Sequence, residues 1–166
     1  MNLGLQPLKD KNYTAASQLN VYQEQVGFVE TINTILGYID KKTHGHIIIN
    51  KEEPDNEEIV GFFLIDTNYS RIYDFCSNHD LGLRSFFIDK NHQGHGYGKG
   101  AVKLLSDYLL NQYATASSVY LTVNCKNPSA KHCYEQGGFI DTGELYFGGD
   151  FGPQHIMKLS LNIGLA

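Results

Sequence analysis

The residues whose types and spacing best suit chemistry lie between Leu83 and Ala101. An apolar, aromatic run from Leu83 to Ile88 breaks at Asp89-Lys90-Asn91, then enters glycines at alternate positions, Gly94, Gly96, Gly98 and Gly100. A helical pattern follows, with Ala101, Leu104, Leu105, Tyr108 and Leu109 on one face. A strand feeding a glycine-rich turn that opens a helix suits a phosphorylated ligand. Glycines admit the backbone close to the anion, and N–H groups at the helix start face it. A tight turn that binds nothing is the bland alternative, and four alternate glycines before a strong helix argue against it.

Two phosphate motifs fail. A nucleoside-triphosphate loop requires GxxxxGK[ST], but the residue six before Lys99 is Gln93 and the residue after it is Gly100. Gly96, Gly98 and Ala101 satisfy G-x-G-x-x-A literally. That fingerprint belongs on a first βαβ unit with an acidic residue ending the next strand, where this chain has Asn124-Cys125.

Gln93-x-x-Gly96-x-Gly98 after a strand resembles the acetyl-coenzyme A signature of the GNAT family of N-acetyltransferases, [Gln/Arg]-x-x-Gly-x-[Gly/Ala]. The likeness continues through Leu121-Thr122-Val123-Asn124, Asn127, Ala130, Tyr134-Glu135 and Gly138-Phe139. This is the family's order of strand, helix with an early Asn and a late Tyr, then Gly-Phe. The two motifs cover about residues 81–140.

The resemblance implies a site. Coenzyme A enters where two parallel strands splay, here the strand ending near Ile88 and the one from Ser118 to Asn124. Its pantetheine arm pairs with backbone groups of Phe87 and Ile88, and the Ile88 N–H serves as oxyanion donor. Backbone N–H groups through Gly94, His95, Gly96, Tyr97, Gly98 and Lys99 hold the pyrophosphate, Gln93 holds the turn, and Asn127 and Ala130 border the arm. Tyr134 is the expected general acid for the departing thiolate: a phenol at about 10 and a thiol at about 8.5 are close enough for proton transfer.

His79, His92 and His95 raise a metal hypothesis, but no Cys or carboxylate completes tetrahedral spacing, so no metal is expected. Cys76, Cys125 and Cys133 form no CxxC pair and read as reduced thiols, Cys125 and Cys133 as packing residues. The net charge of −5 disfavours nucleic acid and anionic membranes, and 42% apolar residues argue for a folded domain. No apolar run reaches the ~20 residues of a membrane helix, and the N-terminal segment lacks targeting character. The expectation is a cytoplasmic protein with a small-molecule amine substrate, in a family that often forms homodimers.

The elements that must position the site follow in order. Asn2–Leu8 reads as a strand and Asn12–Tyr22 as a helix that Asp10 could cap. A second helix places Ile32, Ile35, Leu36 and Ile39 on one face and runs out at Lys41-Lys42. His46–Asn50 and Ile59–Asp66 are strands around an acidic hairpin loop, Glu52–Glu58, and Asn68–Asp80 is irregular. After the central strand, turn and helix come a strand at Ser118–Val123 and a helix opened by Asn127-Pro128-Ser129. Strands at Phe139–Phe147 and Gln154–Leu161 close the chain. This predicts a single α/β domain over residues 1–166, and the resemblance implies the GNAT fold. That is a mixed, mostly antiparallel sheet with a splayed parallel pair and about four helices.

For the acceptor, Gln25-x-x-Phe28-Val29, a strand ending Phe86-x-Ile88-Asp89, and Gln93-Gly94-x-Gly96-Tyr97-Gly98-Lys99 resemble bacterial diamine and spermidine acetyltransferases. That resemblance implies polyamine recognition by Glu24, Phe28 and Phe86 through charge pairing and cation–π contact. An acidic residue is expected where the chain has Asn124. Glu24, Asp74, Asp80 and Glu144 are the carboxylates open as general base. Acetylation of a protein N-terminus or an aminoglycoside, and a non-catalytic coenzyme A sensor, stay open as alternatives.

Overall fold

The computed structural model describes residues 2–22, 25, 28–53 and 55–161. Apolar side chains alternate faces along each central strand, and both faces are buried. Ile48, Phe63 and Ile65 point to one core, whereas Ile47, Ile49, Phe62 and Leu64 point to the other. Burial on both faces is why these strands read as continuous apolar runs. They are β1 (Leu3–Pro7), β2 (Thr43–Glu53), β3 (Asn56–Asp66), β4 (Asp80–Ile88), β5 (Ser118–Asn124), β6 (Ile140–Tyr146) and β7 (Gln154–Ser160). They form one seven-stranded sheet in the order β1-β2-β3-β4-β5-β7-β6.

Among the described residues only β4 and β5 run parallel, and they pair only from Asp80 to Gly82 against Ser118 to Tyr120. Beyond that point the two strands part, which is the splay the resemblance implies. The long helix α3 (Tyr97–Gln112) covers one face with Ala101, Val102, Leu105 and Leu109. The short helices α1 (Tyr13–Ala16) and α2 (Ile32–Leu36) cover the other. A fourth helix, α4 (Pro128–Gln136), follows β5. Among the described residues no helix is long and apolar enough to cross a membrane.

Several boundaries differ from the sequence expectation. The helix expected over 12–22 stops at Ala16, because Asn20 is claimed by a distant segment. Its N–H donates to Asp89 Oδ1 at 2.9 Å, and its carbonyl accepts the Lys90 N–H at 2.7 Å. Asp10 opens a 3₁₀ turn and does not cap α1, whose N-cap is Asn12. α2 ends at Leu36 because Asp40 folds a turn, accepting N–H bonds from Lys42 and Thr43 at 2.8 Å each. The acidic loop is largely strand, with β2 running to Glu53 and β3 starting at Asn56. On α3, Val102 is buried and Leu104 is 39% exposed, a small rotation of the expected apolar face.

Candidate active site

The site grows from the end of β4. Between Leu64↔Arg84 and Phe62↔Phe87, β4 carries one extra residue, and Ser85 takes a positive φ of 55°. Such a bulge bends a strand and re-aims its side chains. Past the bulge, the Asp89 N–H donates to Val60 O at 2.8 Å, in register with Gly61↔Ile88. Antiparallel alternation then turns the polar groups of Phe87 toward β3 and those of Ile88 away from it, toward the gap. The expectation that Phe87 also offers free backbone groups is therefore corrected. Phe87 contributes its buried ring, and Ile88 alone presents its N–H.

Asp89 organises the turn. Its carboxylate accepts from the N–H groups of Asn20 and Asn91 and from His92 Nδ1. His92 Nε2 reaches Glu58 Oε1 at 2.9 Å. Burial opposes charge on His92, but the hydrogen bonds to Glu58 and Asp89 outweigh it and raise the imidazole pKa. Gln93 Nε2 donates to Ile88 O at 2.9 Å, so the signature glutamine closes the turn back on its own strand. Gly94 (φ 85°) and Gly96 (φ 80°) adopt the left-handed conformation that side chains disfavour, and Gly96 is the N-cap of α3.

Helix geometry leaves the first N–H groups of α3 without intrahelical acceptors, and its first turn carries no acidic side chain. This anion-ready end, the strand gap and the Ile88 N–H fit the coenzyme A expected from the sequence. A cleft of about 400 Å³ joins them. Phe87, Ile88, Gln93, Gly94, Gly96, Tyr97, Gly98, Asn127, Ala130 and Tyr134 all line it. His95 and Lys99, also expected at the cofactor, are exposed outside that lining, with His95 resting on the Tyr97 ring at 5.6 Å.

Across the gap, Asn127 caps α4 through an Oδ1 bond from the Ala130 N–H, with Pro128 at the first helical position as the sequence predicts. Its Nδ2 donates to no described residue. Two helical turns on from Asn127, Tyr134 packs edge-on against Phe86 and Phe139, at 5.9 and 5.7 Å between centroids. Burial, then the neighbouring Cys133 thiol, raises its phenol above the ordinary value, so Tyr134 holds its proton. Cys133 is half-buried, packing against the core as expected while also lining the cleft.

A second cavity of about 170 Å³ opens behind this point. It shares Phe28, Val29, Phe86, Asn127, Ala130 and Tyr134 with the first, and adds Ser85, Thr122, Asn124, Phe151 and Gln154 among others. Two cavities thus meet at one phenol. Asn124, where an acid was expected, donates to Phe151 O at 3.0 Å and shapes this wall. Of the substrate residues expected from the sequence, Phe28 and Phe86 stand at the junction, and Glu24 lies outside the described residues.

Asp80 sits at the paired end of the splay, holding Ser77 through its N–H and hydroxyl, away from Tyr134. Asp74 and Glu144 are exposed and line neither cavity. Sequence reasoning missed Thr122, Phe151 and Gln154, which no local pattern distinguishes from ordinary strand and loop residues. Among the described residues, no three His, Cys, Asp or Glu side chains gather into a metal-binding group.

Comparison with known proteins adds to this geometry. A probable spermine N(1)-acetyltransferase of Bacillus subtilis subsp. natto is 29% identical over 150 residues, covering 90% of this chain and 95% of that protein. A spermine/spermidine N(1)-acetyltransferase of Bacillus subtilis is 28% identical over the same length. In structure, an aminoglycoside acetyltransferase with coenzyme A and kanamycin superposes with a TM-score of 0.74 at 16% identity, covering 96% of this chain and 95% of the other. Spermidine N-acetyltransferase from Vibrio cholerae, with coenzyme A and spermine, gives 0.67 at 18%, with coverage of 96% and 95%. At these identities the superpositions establish the fold. The model of the acetyltransferase (GNAT) family matches residues 11–139, across the strand gap, the glycine turn and Tyr134. This chain belongs to that family and is an N-acetyltransferase.

Proposed function

We propose that this protein transfers acetyl from acetyl-coenzyme A to a primary amine of a polyamine such as spermine or spermidine. The observation that carries the reading is the half-buried Tyr134 phenol on the wall common to both cavities. A donor in one cavity and an acceptor in the other would meet there. The acceptor class rests on the two Bacillus relatives, each aligned over 90% of this chain.

Bound acetyl-coenzyme A supplies an activated thioester; the remaining roles fall to the chain. The N–H groups of the turn from Gly94 to Lys99 hold phosphate charge at the helix end. The Ile88 N–H donates to the acyl oxygen as negative charge gathers on it. Tyr134 keeps its proton until a thiolate leaves, then protonates it and is reprotonated by the proton that the newly acylated nitrogen sheds. Burial raises the phenol, so Tyr134 still carries its proton when the thiolate departs.

On the acceptor side, Phe28, Phe86 and Phe151 offer aromatic faces to a cationic chain. Ser85, Thr122, Asn124 and Gln154 supply neutral polar groups for the reacting nitrogen.

The test is coenzyme A release with acetyl-coenzyme A and a panel of spermidine, spermine, putrescine, an aminoglycoside and short peptides. Saturable turnover with spermine or spermidine is expected. Turnover restricted to the aminoglycoside or the peptides would overturn the substrate class. Tight acetyl-coenzyme A binding with no turnover across the panel would overturn the polyamine reading and favour a sensor.

A further inference from the structure

The wall between the two cavities depends on a loop whose outer end is tied to the phosphate turn by one side-chain pair. Gln25 Nε2 donates to Gln93 Oε1 at 3.2 Å, and Gln93 Nε2 donates back to Gln25 Oε1 at 3.0 Å. Gln93 Nε2 also holds Ile88 O, so this amide touches the turn, the strand carrying the oxyanion donor and the loop together. Gln25 is equally committed. Its Oε1 accepts the Tyr22 N–H at 3.2 Å, and its backbone carbonyl accepts the N–H groups of Phe28 and Val29 at 2.9 and 3.1 Å. Phe28 and Val29 then line both cavities. The base of the same loop is pinned separately, where Asn20 bonds Asp89 and Lys90. Gln25 is thus the hub that fixes the outer end.

We infer that Gln25 is a positioning residue coupling ligand occupancy of the phosphate turn to the shape of the acceptor wall. A ligand that orders Gln93 orders Gln25 through two reciprocal hydrogen bonds, and Gln25 sets Phe28 and Val29 through its carbonyl. Both groups are neutral amides, so the coupling does not titrate with any side chain of the pair. The donor therefore prepares the acceptor cavity, and linkage requires the acceptor to tighten the donor in turn. The assignment of that second cavity to an amine rests on the function proposed above; the coupling to coenzyme A does not.

The closing experiment separates the two. Amide hydrogen exchange is followed on the full chain with and without coenzyme A, for the parent, Gln25→Leu and Gln25→Glu. In the parent, coenzyme A slows exchange at the first turn of α3 and also, by about tenfold, at Phe28 and Val29. In Gln25→Leu, the α3 amides still slow while Phe28 and Val29 lose their response. Gln25→Glu keeps both acceptor bonds and loses only the donor to Gln93, so it retains part of the response and guards against a folding defect in the Leu variant. With the turned-over amine, Gln25→Leu raises KM by about tenfold and lowers kcat much less, because the acceptor wall and not the proton donor is disturbed. Equal protection of Phe28 and Val29 in parent and Gln25→Leu would overturn the proposal, as would no protection in the parent. Neither result depends on which amine is acetylated. A failed polyamine panel beside a Gln25-dependent response would refute only the substrate reading.

Discussion

Acidification tests the core through His46, which is 2% exposed beneath α3. His44 Nε2 lies 2.9 Å from Lys41 O, a group that can only accept, so this nitrogen carries the proton. In the neutral ring, His44 Nδ1 then accepts from the Tyr113 hydroxyl at 2.7 Å. The Tyr113 oxygen accepts in turn from His46 Nε2 at 2.9 Å, and His46 Nδ1 accepts from Tyr108. Every donor in this chain has an acceptor only while His46 is neutral. Burial, and secondarily the charge of His44, pushes the His46 pKa down to about 3. An unfolded histidine titrates near 6.5, so between those values the unfolded chain binds a proton that the folded one refuses, and stability falls as pH falls. Integrating that difference, moving from about pH 7.5 to about pH 5 costs about 2 kcal/mol from this site alone.

His92 acts in the opposite sense. Its raised pKa contributes stability that is present below the unfolded value and lost as pH rises through the folded one. The assay therefore compares urea unfolding of the parent with His46→Gln at several pH values, since His92 is common to both and cancels. The parent should lose about 2 kcal/mol more than His46→Gln over that interval. Parallel pH slopes in the two proteins would refute a buried neutral His46.

Two further outcomes follow from the site and its frame. Tyr134→Phe keeps the ring packing against Phe86 and Phe139, so melting temperature and coenzyme A affinity should hold while kcat falls by about 10²–10⁴. In the parent, the raised phenol should leave kcat free of any loss from Tyr134 ionisation up to about pH 9, and unchanged kcat in the variant would remove Tyr134 from proton transfer. Gly82 stands at the last paired position before β4 and β5 separate, and a Cβ there would fall 2.1 Å from a carbon of the buried Tyr69 ring. Gly82→Ala should therefore cost about 1–3 kcal/mol in denaturant unfolding, and a wild-type midpoint would show that the ring yields without strain.

Much of the donor half was legible because its signals are local. Alternate glycines, a helical apolar period after them, and Asn127-Pro128 at a helix start each report on neighbours within a turn or two. They placed β4, α3, α4 and the phosphate turn close to where the structure has them. The first helix was misjudged for the complementary reason. Its apolar spacing runs on past Ala16, but Asn20 gives its backbone groups to Asp89 and Lys90, about seventy residues away. No propensity summed along the chain contains that competition.

The chain's pattern of residues determined the family, the order of its central elements and the glycine turn, and it singled out Tyr134 as the candidate proton donor, since each depends on residue type at short spacing. Tertiary structure alone decided where β4 and β5 part, that Ile88 and not Phe87 presents its N–H to the gap, and that two cavities share Tyr134. It also decided that Gln25 meets Gln93 and that a hydroxyl-imidazole chain lies under α3. These are meetings of groups distant in sequence, set by strand register and by which buried polar atoms must find partners. Such choices exist only once the sheet has formed.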